Sequence, residues 1–75
     1  MVPVGQKGRI TSGEKSGWSV FVEDDRSNTG GYLILMSPDD FTSSGFDDWV
    51  EAADLEEYFI ETGWEITWLP IYQPY

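Results

Sequence analysis

Between Gly45 and Trp68 the chain holds six of its twelve aromatic residues and eight of its fourteen acids, and no base at all. A segment built this way has to bury its rings and keep its carboxylates in water, so it must be amphipathic throughout. Two periodicities meet that demand in turn. Leu55, Tyr58, Phe59 and Thr62 recur at helical spacing, whereas Trp64, Ile66 and Trp68 alternate like a half-buried strand. Gly63 lies between them, where a left-handed residue stops a helix. Asp54-Leu-Glu-Glu57 has the form of a capping box, with its acids at the positive end of the helix dipole. The pattern predicts a helix from Asp54 to Thr62 and a last strand over Trp64–Trp68.

Residues Phe46–Glu51 fit either a helix or a strand. Extended structure is favoured because the better helix start follows at Asp54, and the strand is expected to place Trp49 inward. Upstream, Gly8–Thr11 reads as a short strand. Trp18–Glu23 reads as a longer one, with Trp18, Val20 and Val22 on one face. Asp24–Gly31 is expected to be a hairpin loop of residues that bond their own backbone. Tyr32–Met36 is apolar on both faces, which marks a central strand covered on each side or one inside a small barrel, and Pro38 ends it. The expected fold is α+β: a small curved antiparallel sheet of four to five strands with one helix before the last strand. Residues 1–75 form a single domain, with 69–75 a partly flexible tail.

A chain of 75 residues buries only about 60–65% of its unfolded surface, so its core is marginal. With no Cys and no His, neither disulfides nor zinc can staple it. Aromatic burial must compensate, at roughly 150–250 Å² per ring. No apolar run approaches the roughly 20 residues of a membrane span, and no signal-peptide core is present. A cytoplasmic protein, monomeric or weakly dimeric, is expected.

The same two missing residue types remove the ordinary nucleophilic triads. Ser19 lacks the second glycine of a nucleophile elbow and reads as an outward strand residue. The pairs Asp24/Asp25, Asp39/Asp40 and Asp47/Asp48 are adjacent, and neighbours on a strand point to opposite faces, so adjacency makes no catalytic dyad. Calcium-loop spacing fails: starting at Asp25, Gly30 falls correctly at the sixth position but Met36 stands where the chelating Glu belongs. No phosphate loop is present. The expectation is a non-enzyme with no cofactor and no metal.

What remains is charge. The net charge is −10, and all of it lies in residues 31–75, which carry ten acids and no base; residues 1–30 balance four of each. Such a field repels nucleic acid and anionic lipid and attracts basic protein surfaces. A plain solubility surface or a salt-adapted chain would also be acidic, but neither would spare residues 1–30. The candidate partner-binding residues are Asp47, Asp48, Trp49, Glu51, Asp54, Glu57, Glu61 and Tyr72. Trp and Tyr at an acidic rim are typical interface anchors.

In size, charge and α+β build the chain resembles bacterial immunity proteins that neutralise toxic nucleases, and phage-encoded inhibitors of defence nucleases. That resemblance carries no residue motif. It implies a small acidic inhibitor that occludes a basic surface of a nuclease, another nucleic-acid-acting enzyme or a toxin. Two other readings stand beside it: a non-catalytic adaptor that pairs a sheet edge, through Tyr32–Met36 or the last strand, and an uncharacterised structural domain.

Overall fold

A computed structural model describes residues 1–70. The fold is α+β, with five antiparallel strands in one open sheet. The strands are β1 (Lys7–Ile10), β2 (Ser19–Asp25), β3 (Gly31–Ser37), β4 (Phe46–Glu51) and β5 (Ile66–Trp68). Their spatial order is β4-β3-β2-β1-β5. The first four form a meander, and β5 returns beside β1 with Gly8 opposite Trp68 and Ile10 opposite Ile66. The helix α2 (Leu55–Thr62) links one sheet edge to the other.

Register sorts every strand residue onto one of two faces. On the inner face Val20 stands opposite Met36, Val22 opposite Ile34, and Tyr32 opposite Val50. These residues, with Ile10 and Leu55, are the buried core. The aromatic residues of α2 and the last strand close it: Phe59 meets Trp64 at 5.9 Å and Trp68 at 6.2 Å between ring centroids. This is the ring burial that a small domain without staples requires. Trp18 completes the layer at the other end, stacked on Phe46 at 5.8 Å.

Several expectations need correction. The Asp24–Gly31 hairpin loop contains a one-turn helix, α1 (Arg26–Thr29), ended by Gly30 at φ 83°. Residues 46–51 are a strand, but Trp49 faces outward, because the partner register aligns it with Leu33 while Val50 turns inward opposite Tyr32. The capping box does not form: the Asp54 side chain makes no capping hydrogen bond. A 3₁₀ turn over Ala52–Asp54 leads straight into α2, so the backbone arrives already wound and Asp54 lies inside the helical path rather than at its mouth. Gly63 does end α2, at φ 69°, and its N–H bonds the Ile60 carbonyl at 3.2 Å. Leu69 is held by a 2.8 Å bond from its N–H to the Lys7 carbonyl. Residues 71–75 of the expected tail, Tyr72 included, lie outside the described residues.

Close approach makes Gly8 the tightest point under the last strand. A Cβ there would sit 2.6 Å from Ile66 Cγ2 and 2.8 Å from the Trp68 ring. Gly8→Ala should therefore destabilise by about 1–3 kcal/mol through overpacking. In a domain of this size each kcal/mol lowers the thermal midpoint by roughly 4–8 °C. A variant melting with the wild type would show that β5 does not lie on Gly8.

Candidate functional site

The acids that look like one face in sequence occupy two sides of the β4 edge. Asp47, Trp49 and Glu51 stand on the outer face of the sheet, opposite Leu35, Leu33 and Gly31. Asp48 turns to the helix side. One of its oxygens accepts the Trp49 N–H at 2.9 Å and the other accepts the Tyr58 hydroxyl at 3.2 Å. Asp54, Glu57 and Glu61 project from the 3₁₀ turn and α2, and with Val50 and Tyr58 they line a cleft of about 330 Å³. Among the described residues none of these acids forms an ion pair. The ion pairs that do form are Lys7–Asp40 and Arg26–Asp24, each at 2.7 Å, and the N-terminal ammonium with Glu56 at 3.9 Å. The Lys15 ammonium lies 4.3 Å from the Trp18 ring.

The outer face carries what the sequence reading missed. Along β3, Leu33 and Leu35 lie half-buried, with Trp49 and Phe21 beside them on the flanking strands. Among the described residues no helix covers them. The sequence signal was present in the two-sided apolar pattern of Tyr32–Met36, but that pattern implied a covered second face. Trp49 is 43% exposed. Its ring lies over Gly31, and its Nε1–H donates to Thr29 Oγ1 at 2.8 Å. The Thr29 hydroxyl donates in turn to Asp25 Oδ2 at 2.9 Å, so the indole is held in place at the surface.

One end of this face is closed by the loop between β3 and β4. Buried Ser37 is its hub: its hydroxyl accepts the Phe41 N–H at 2.8 Å and bonds Asp39 Oδ1 at 2.7 Å. Asp40 accepts from Lys7 Nζ at 2.7 Å and from buried Ser19 at 2.8 Å. Ser19 is thus an outer-face residue covered by the loop. Asp40 and Phe41 both adopt left-handed backbone, at φ 60° and 64°. For a bulky residue such as Phe this is strained, at about 1–3 kcal/mol. The strain presents Phe41, 40% exposed, beside a cleft of about 300 Å³ lined also by Leu35, Gly45, Phe46 and Asp47.

Among the described residues no group of three or more carboxylates gathers closely enough to hold a metal ion. No helix there is long and apolar enough to cross a membrane. Compared with protein-family models, curated proteins and solved structures, the chain matches none.

Two titrations report on this architecture. Burial, and then the Asp48 charge, push the Tyr58 hydroxyl from 10.0 up to about 12. A folded-state value above the unfolded one means that this group's stabilisation is intact below about pH 10 and is lost as pH rises through 12. Asp48→Asn should lower the Tyr58 ionisation midpoint without restoring it to 10.0, because burial is the larger cause; tyrosinate absorbance reads it. An unchanged midpoint would remove Asp48 from contact with Tyr58. At the other end, hydrogen bonds from Ser43 and Ser37 hold the Asp39 carboxyl down, from 3.8 to about 2. A depressed value stabilises above about pH 4 and is lost as pH falls through 2. Asp39→Asn should start less stable at neutral pH and lose less between these limits in thermal melts. Asp24, also near 2, keeps part of the acid slope.

Proposed function

We propose that this protein is a small acidic inhibitor that lays its β4 edge on a basic surface of a nucleic-acid-acting enzyme or toxin and blocks it. The observation that supports this reading most is the charge arrangement around β4. Its carboxylates are solvent-facing and unpaired on both sides of the edge, while Lys7 and Arg26 are engaged with other acids. Unneutralised carboxylates repel one another, and a chain selected for stability alone would interleave bases. A basic groove on a partner supplies the missing counter-charge and speeds association.

The adaptor reading through edge pairing has less support. Both neighbours of β3 are already strands, so Tyr32–Met36 offers no edge. At β4 the Trp49 N–H is taken by Asp48, and flanking carboxylates discourage an added strand. The remaining edge, β5, is three residues long.

The test uses Asp47 and Glu51, which are exposed; Asp48 is left intact because it holds Trp49 and Tyr58. Wild-type protein and the Asp47→Asn/Glu51→Gln variant serve as parallel baits on a lysate of the source cell. The wild type should retain a basic protein that acts on nucleic acid, and should inhibit it. The variant should be equally stable but associate more slowly at low salt, and the difference should vanish as the screening length falls to about 3 Å at 1 M. A retained partner of neutral or acidic character, or one whose activity the protein leaves unchanged, would overturn the reading.

A further inference from the structure

The outer face is flanked by acids on two sides. On β4 stand Asp47 and Glu51; on β2, two strands away, stand Glu23 and Asp25. Between these rows run Leu33 and Leu35 of β3, with Trp49 and Phe21 at opposite corners. An apolar strip lined on both flanks by carboxylates is the complement of an apolar stripe lined on both flanks by bases. Two inter-strand spacings separate the acidic rows, roughly 9–10 Å. That is close to the diameter of an α-helix with its side chains, about 10–12 Å. The inner face already carries a helix, and a helix on the second face completes a layered arrangement that sheets commonly adopt.

We propose that the outer face of the sheet receives a basic amphipathic helix of the partner, lying along β3 with its apolar stripe on Leu33 and Leu35 and its lysines or arginines against Asp47 and Glu51 on one side and Glu23 and Asp25 on the other. Trp49, fixed through Thr29, and Phe41, lifted by its strained loop, bound the strip as aromatic anchors. Lys7 and Arg9 stand on β1 beside Phe21 and Ser19, so on that flank the helix's bases lie toward the Glu23–Asp25 end of β2. A second copy of this chain fits the face poorly, because a net charge of −10 on each copy opposes their approach. This inference names the partner element for the inhibitor reading and rests on it.

The probe is a helix-forming peptide with leucines at i, i+3, i+4 and i+7 and lysines on both flanks. A second peptide with glutamates in place of the lysines serves as control. The lysine peptide should bind saturably, shifting the methyl signals of Leu33 and Leu35 while those of Ile60, 73% exposed on α2, stay still. The glutamate peptide should not bind. Trp49→Thr should weaken binding by about tenfold, as loss of an aromatic anchor does. Phe41→Gly should weaken it too, and it relieves the left-handed strain, so this variant stays folded. Shifts confined to the Asp54–Glu57–Glu61 cleft, equal affinity for both peptides, or self-association on this face by sedimentation would each overturn the proposal. If the methyl signals stay still while inhibition of the captured enzyme persists, the docking face falls and the inhibitor reading stands. If the peptide docks as described but no basic nucleic-acid enzyme is inhibited, the reverse holds.

Discussion

A sheet has two faces, and among the described residues one helix is long enough to cover one of them. The β-branched apolar residues of the strands are committed to the covered side: Ile10, Val20, Val22 and Ile34 are fully buried there. The rings of Tyr58, Phe59, Trp64 and Trp68 lock α2 over that layer by edge and tilted contacts. Among the described residues no further element covers the second face. The domain keeps the second face partly dry by a short loop at one end and by the Trp49 indole at the other.

Electrostatics follows from the same shortage. With few bases, the chain uses them locally, to clamp the loop through Asp40 and to hold the β2–β3 hairpin end through Asp24. Hydrogen bonds from hydroxyls take over elsewhere, with Ser37 and Ser43 keeping Asp39 ionised without any cation. Among the described residues Asp47 and Glu51 of β4 receive neither treatment, while Asp48 accepts the Tyr58 hydroxyl. Their repulsion is tolerated at the surface, where water screens it, at a few tenths of a kcal/mol per pair.

Much of the architecture was legible in the sequence. Period-two alternation identified β2 and the last strand, and Gly63 marked the end of α2. The sidedness of β4 was harder, because Phe46 and Trp49 lie at opposite parity and hydrophobicity alone does not choose between them; pairing with β3 decides it. The helix start was read from Asp54 and Glu57, yet the entry is a 3₁₀ turn over Ala52–Asp54, and its two alanines carry no strong signal. Among the acidic candidates, Asp47, Asp48 and Glu51 lie on β4, and Asp54, Glu57 and Glu61 lie on the turn and helix that follow it. Their division between two faces depends on β4 being a strand and on where α2 crosses, which spacing cannot supply. Phe41 was invisible, since nothing in Asp39–Gly45 announces a left-handed backbone at a phenylalanine.

The connectivity also sets an order of events. The β2–β3 ladder pairs seven residues on each side across a short connection, and β4 adds to it locally. By contrast, β5 must return from near the end of the chain to reach β1, bringing Trp68 over Gly8. Local pairings form cheaply in conformational entropy, whereas distant ones come late and open first. Partial opening therefore begins with β5 leaving Gly8, while β2, β3 and β4 remain paired. The strip of Leu33, Leu35 and Trp49 belongs wholly to that surviving unit, so the proposed docking face is assembled before the domain is complete and persists after its far edge has come undone.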